Sequence, residues 1–283
     1  MIPSNSERAN AVPTTIIRSA DSSWTLGWAE LLRHRELLYF LTWRDIKVRY
    51  KQTVLGVVWA ILQPLAIALS LTLFLSRLIK VPSGELPYPV FAYAGMVLWQ
   101  FFAQSVTEAA NSLVVNERLI TKVYFPRLLV PLSSVLASFV DFAVSLVILV
   151  LFLAYFHIVP GLSLLIFPFM VLLAAVIASG VGFWLSALNV KYRDVRYTLN
   201  FLVQFWFLAT PIAYPSSAVP ARWSFLYALN PMVGVVDGFR WSLHRAGHFP
   251  AASLSLSFGI AALLFFSGLN YFRRTEDTFA DFI

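Results

Sequence analysis

The sequence contains no cysteine, which removes disulfides, thiolate metal ligands and thiol chemistry together. Charge is scarce as well: 12% of the 283 residues are Asp, Glu, Lys or Arg, against about a quarter in ordinary soluble domains. None of the 12 glycines is followed by lysine, so the glycine-rich cradle that ends in Gly-Lys-Ser/Thr, and with it ATP hydrolysis by this chain, is missing. There is no Asp-X-Asp, no His-Glu-X-X-His and no Gly-X-Ser-X-Gly, which leaves metal-assisted phosphate chemistry, zinc proteolysis and serine hydrolysis without their residues. The first residues, 1–23, are polar and lack an apolar core. No cleavable signal peptide is expected, and the N-terminus should start in the cytosol.

What the chain has is apolar length. Hydrophobic residues make up 59% of it and the mean hydropathy is +0.74, and several runs approach the ~20 residues a helix needs to cross a bilayer. Six are predicted: 54–78, 88–112, 128–156, 162–188, 195–212 and 253–272. An even number returns both termini to one side. With the N-terminus inside, most of the 21 Lys and Arg fall in inner segments, leaving Arg77, Lys80, Arg222, Arg240 and Arg245 outside. That asymmetry predicts cytoplasmic N- and C-termini. The net charge of +7 follows from such topology and carries no argument for a nucleic-acid partner.

Two stretches read differently. From 28 to 51, Trp28, Leu32, Tyr39, Trp43, Ile46 and Tyr50 recur at helical spacing while Arg33, Arg44, Lys47 and Lys51 gather on another side, the pattern of a basic amphipathic helix at the membrane surface. From 210 to 250, Pro211, Pro215, Pro220, Pro231 and Pro250 break short apolar pieces, which predicts re-entrant or interfacial half-helices. The expected fold is all-α: a polytopic membrane protein with six transmembrane helices, an N-terminal amphipathic interface helix and re-entrant outer helices between spans five and six. Its divisions are a cytosolic tail (1–27), the interface helix (28–53) and one membrane domain (54–283) with a short cytosolic C-terminus.

Polar residues inside these runs are the functional candidates. In the third span Ser134, Ser138, Asp141 and Ser145 share one helical face. A carboxylate at mid-bilayer faces the bundle or a watery cavity, so Asp141 reads either as functional or as part of a hydroxyl-rich packing face. Gln100, Gln104, Thr107, Glu108 and Asn111 form a stripe on the second span that should line a route, and Gln63, Pro64, Asn200 and Gln204 would extend it. Ala174, Ala178, Gly182 and Ser186 repeat every fourth residue on the fourth span, a pattern for close helix contact within the chain or across a dimer. His244 and His248, with Asp237, offer too few ligands for a metal, and the expected reading is interfacial histidines. Aromatics, 16% of residues, could serve interfacial belts or sugar stacking, and for any single residue the belt is the favoured reading. Trp99, Phe101, Phe102 and Trp241 are among them, and Arg222-Trp223 and Arg240-Trp241 would grip anionic headgroups, glycan or the interface.

The string RDIKVRYKQTVLGVVWAILQPL at 44–65 closely resembles the start of type-2 ABC permeases of the polysaccharide and polyol-phosphate export family. YFPRLLVPLSS (124–134), NVKYRDVRY (189–197), LNPM (229–232) and NYFRRTEDTFADFI (270–283) resemble the same family, so the likeness runs from about residue 44 to the end. The resemblance implies a permease homodimer in the bacterial inner membrane joined to two cytosolic ABC ATPase subunits. ATP and magnesium would sit on those subunits, with no cofactor on this chain and no catalysis by it. The cargo would be an undecaprenyl-pyrophosphate-linked glycan such as O-antigen, capsule or teichoic acid, surrounded by membrane lipids.

By the same resemblance, the ATPase would dock on Arg44, Asp45, Lys47 and Arg49, on Asn116, Glu117, Arg118, Lys122, Tyr124 and Arg127, and on Arg193 and Asp194. The entrance and channel would use Lys51, Gln63, Trp99, Gln100, Gln104, Glu108, Asp141, Asn200, Gln204, Arg222 and Arg240. Three rivals stand beside this reading: a type-2 exporter of a small molecule or lipid, a membrane-embedded glycan-processing enzyme, and an assembly scaffold.

Overall fold

Backbone groups in hydrocarbon must be satisfied within their own segment, and the regular structure of the described residues is entirely helical. The computed structural model describes residues 33–51, 56–74, 86–123, 125–192, 194–244 and 249–279. The tail at 1–27, Trp28 and Leu32 at the start of the interface helix, Tyr124, Arg193 and His248 lie outside them.

Ten α-helices are described: α1 (Arg35–Lys51), α2 (Gly56–Leu71), α3 (Tyr88–Val115), α4 (Glu117–Lys122), α5 (Leu129–Tyr155), α6 (Phe167–Lys191), α7 (Val195–Leu208), α8 (Ala221–Ala228), α9 (Pro231–His244) and α10 (Ala251–Glu276). Three runs are long and apolar enough to cross a membrane: α5 with 27 residues, Leu162–Lys191 with 30 (a 3-10 turn continued by α6), and α10 with 26. α3 has the length, at 28 residues, but carries the Gln and Glu stripe. α2 and α7, at 16 and 14 residues, fall short of the ~20 a full crossing takes.

Proline sets several of these boundaries. Its fixed φ and missing N–H suit a helix's first turn, and Pro89, Pro168 and Pro231 lie in the first turns of α3, α6 and α9, while Pro220 and Pro250 immediately precede α8 and α10. Of the prolines of 210–250, Pro220 and Pro231 therefore mark the starts of two short helices. α5 ends differently, on His157 with φ 55°. The N–H groups of His157 and Ile158 fold back to the carbonyls of Ala154 and Leu153, which closes the last turn in a left-handed cap.

α3 occupies the centre and packs against α2, α5, α6, α7 and α9, while α6 and α10 form the other extensive contact. Small residues make both approaches close. A Cβ on Gly182 would meet the Ala109 Cβ at 2.7 Å, so the small-residue stripe of α6 is spent within the chain against α3. On its other side Gly180 comes as close to the backbone of Leu264 and Phe265 in α10. α7 is more loosely held, with Leu199 its one buried residue, as Leu41 is the one of α1, and α8 has none.

Candidate functional site: a buried carboxylate joint and an uncovered polar face

Asp141 lies near the middle of α5 and is 7% exposed. A carboxylate so placed must have its oxygens occupied by donors. Two come from adjacent residues at the end of α1: Arg49 Nη1 reaches Oδ2 and the Tyr50 hydroxyl donates to Oδ1, both in short contacts. A third comes from α3, where Gln104 Nε2 donates to Oδ2 at 2.8 Å. Arg49 also extends to Glu108, one turn beyond Gln104, with Nη2 3.2 Å from Oε1. A turn earlier on α1, Asp45 accepts from Ser133 of α5 at 3.1 Å and pairs with Arg44 at 2.7 Å. One guanidinium and one carboxylate thus tie α1, α3 and α5 together. Burial, and then the hydrogen bond to Asp141, push the Tyr50 phenol above its ordinary range. It stays protonated where a free phenol ionises, so its contribution is complete below that range and fades only as pH climbs through the raised value.

The remaining hydroxyls of the α5 stripe are satisfied locally. Ser134, Ser138 and Ser145 donate to the carbonyls of Val130, Ser134 and Asp141. Among the described residues no three His, Asp or Glu gather to hold an ion. The joint is suited to mechanical linkage.

α1 meets the bundle with an unexpected face. The periodicity of Tyr39, Trp43, Ile46 and Tyr50 predicts an aromatic face turned to the apolar phase. The side packed on the bundle carries Leu37, Leu38 and Leu41, followed by Asp45 and Arg49, while Tyr39, Phe40, Trp43 and Val48 are exposed. Phe40, Trp43, Arg44, Lys47, Val48 and Lys51 line a shallow groove along that outer side, and the Lys47 ammonium lies 5.3 Å from the Trp43 ring.

Around the foot of α1 is a charged end of the bundle, hereafter the basic end. α4 buries Ile120 and leaves Glu117, Arg118 and Lys122 exposed, while Asn116 Nδ2 donates to Ser112 at 2.8 Å and closes α3. Arg127 turns away from this surface. Its N–H donates to Glu276 Oε1 at 2.9 Å and its guanidinium reaches the Glu276 carbonyl, joining the loop after α4 to the end of α10. Asp194, just before α7, is exposed.

The other candidate residues divide into inward and outward sets. Trp99 is 4% exposed and packs against Phe102 and Phe207, and Arg240 is 5% exposed with its donors on backbone carbonyls. Expected at a channel or headgroup, both are instead inside the bundle. Gln100 is half-buried, and Gln63, Asn200 and Gln204 are exposed. Arg222 is exposed and lies over the Trp223 ring at 5.8 Å. On α7, Arg196, Asn200 and Gln204 alternate with Tyr197, Phe201 and Phe205 along the uncovered side, and the Phe201 and Phe205 rings stack at 6.5 Å. Amides facing hydrocarbon are costly, so this side borders water or protein.

Sequence reasoning passed over two residues of these networks. Tyr50 was counted among the apolar positions of α1, and its hydroxyl is visible only once α5 is beside it. Asn230 receives Trp206 Nε1 at 2.8 Å and donates to the Ala209 carbonyl at 2.9 Å. Its place immediately before Pro231, at a helix start, was a readable signal.

A helical bundle with three described runs long and apolar enough to cross a membrane is the architecture of a multi-pass membrane protein. Residues 36–244 match the model of the ABC-2 type transporter family, and the chain belongs to that family. It is 30% identical over 259 residues to the O-antigen export system permease protein RfbA of Myxococcus xanthus, covering 90% of this chain and 98% of that protein. It is 29% identical over 250 residues to the protein of the same name from Klebsiella pneumoniae, 88% and 95% covered. With the polysialic acid transport protein KpsM of Escherichia coli it shares 24% identity over 243 residues, 83% and 91% covered.

Proposed function

We propose that the chain is the membrane half of an exporter that moves a lipid-linked polysaccharide from the cytosol across the bacterial inner membrane. It works as a homodimer, powered by two ATPase subunits that carry ATP and magnesium. The observation that carries this reading is the uncovered side of α7. α7 packs on the core through Leu199, Val203, Trp206 and Phe207, while on its other side exposed Asn200 and Gln204 would be costly against lipid alone and, with Tyr197, Phe201 and Phe205, offer hydrogen bonders and ring faces, the chemistry that fits sugars. The names of the relatives, O-antigen and polysialic acid transport, agree with a glycan cargo.

On this reading the six helical stretches span, the basic end is cytosolic, and α8 and α9 are re-entrant from the outer side. Glu117, Arg118 and Lys122 on α4, with Asp194, present the ATPase docking surface, and closure there is passed through α1 and the Asp141 joint into α3 and α5. Arg44, Lys47 and Lys51 along the outer side of α1 meet the anionic pyrophosphate of the carrier at the entrance.

The test is affinity purification of the tagged chain from its own membranes in mild detergent, with identification and counting of its partners. A soluble ATPase at one copy per permease, in a complex of two and two, is the expected result, with surface glycan lost when Arg44, Lys47 and Lys51 are neutralised together. A chain that arrives alone, and stays alone when ATP analogues are added, removes the exporter reading and favours a membrane enzyme.

A further inference from the structure

A helix that stops in a membrane domain leaves its last carbonyls without intrahelical partners and with little water to take them. α7 stops at Leu208, about 21 Å from its start at 1.5 Å per residue, and the chain then breaks at Pro211. Side chains supply the donors that the helix lacks. The Tyr214 hydroxyl donates to the Leu208 carbonyl at 3.1 Å, Asn230 Nδ2 to Ala209 at 2.9 Å and the Tyr88 hydroxyl to Ala213 at 2.7 Å. Between them, Arg240 of α9 donates from Nη1 to Pro211 and from Nη2 to Ile212, the latter at 2.8 Å.

The same guanidinium donates from Nε to the Phe91 carbonyl of α3 at 3.1 Å and lies 3.5 Å from the centroid of the Phe91 ring. Among the described residues no carboxylate oxygen lies within 4 Å of the Arg240 guanidinium; Asp237, one turn back on α9, is its nearby acid and acts on it through space. Three carbonyl oxygens and an aromatic face are a ligand set for a cation, and the ends of broken membrane helices are where such sets arise. Gly95 leaves the room for it, since a Cβ there would fall on Arg240 Nη2 and against the Ile212 backbone.

We propose that Arg240 is a tethered cation filling a carbonyl site at the end of α7, and that it is the positioning residue of this mouth of the permease. Through it α3, the α7 break and α9 become one body. A planar fork is required, because three acceptors from two elements must be met at once. The guanidinium stands where a dissolved cation would, so the shape of the break is independent of one.

The natural sequence has no cysteine, so a single introduced thiol reports cleanly. Ile212 is 0% exposed, and Ile212→Cys in the full chain in membranes should react slowly with a maleimide. Adding Arg240→Ala should speed that labelling about tenfold or more, as carbonyls left unpaired loosen the break. Guanidinium at tens of millimolar should restore protection, whereas urea and sodium at the same concentration should not. Gly95→Ala should loosen the break with Arg240 intact and add little once Arg240 is Ala. If Arg240→Ala does not accumulate, Arg240→Lys serves in its place, with labelling well above the wild-type rate expected because an ammonium lacks the fork. Labelling unchanged by either Arg240 variant, effects of Gly95→Ala and Arg240→Ala that simply add, or indifference to guanidinium would each overturn the proposal. None of these readouts needs cargo or ATPase, so their failure leaves the transport reading intact.

Discussion

Asp141 near the middle of α5 and Arg240 at the α7 break are both buried charges, and their hydrogen-bond partners differ in kind. Asp141 is met by side chains: Arg49, Tyr50 and Gln104, with Glu108 as a second acceptor for the same guanidinium. Arg240 is met by backbone: the carbonyls of Phe91, Pro211 and Ile212. Side-chain pairs can part and re-form, because each partner can find water or an alternative, and Glu108, 47% exposed at its side chain, offers Arg49 one. Carbonyls fixed by a helix end have no such freedom. One buried charge makes a joint able to move and the other a clamp able to hold, which is the division that the exporter reading proposed above needs.

Asp141→Ala should have the largest effect on this comparison. It leaves Arg49, 22% exposed at its side chain, with Glu108 alone of its two carboxylates, a loss below the ~3–5 kcal/mol of a fully buried broken pair, read as a fall in the unfolding midpoint of the purified chain. A smaller loss than that of Glu108→Gln would undo the claim that Asp141 is the centre of the joint. Gly95→Ala comes next, at about 1–3 kcal/mol for overpacking. Guanidinium at low concentration should not relieve it, because the site is already filled.

Glu108→Gln should cost less than about 1 kcal/mol, since its partly exposed pair with Arg49 is screened by solvent. Its midpoint measured in low and high salt should converge on that of the unaltered chain. Asn200→Leu together with Gln204→Leu should leave the midpoint unchanged while surface glycan falls sharply. A stability loss there would mean that this side of α7 is packed against protein in the working complex. Arg222→Ala, at an exposed ring contact, should be the mildest of all, with neither midpoint nor export moved.

Much of the fold was legible from composition and spacing. Each of the six apolar stretches contains a described helix, and of the prolines of 210–250 Pro220 and Pro231 fall where short helices begin, because chain breaks in hydrocarbon are local events written in local residues. The polar stripe of α5 was equally readable as turned inward, since Asp141 could not face lipid. The inward face of α1 was not readable. In a membrane the surroundings of a bundle are as apolar as its interior, so hydrophobic periodicity does not say which side is buried. Leu41, Asp45 and Arg49 face in because their partners are there.

The sequence by itself therefore determined the helices, their order and the identity of the costly residues. The tertiary structure alone decided which of those residues meet. Arg49 and Asp141 are 92 positions apart, and Arg240 reaches Phe91 across 149. The physical reason is that burial of a charge creates a demand for partners that any distant segment can meet, and only packing selects which segment does.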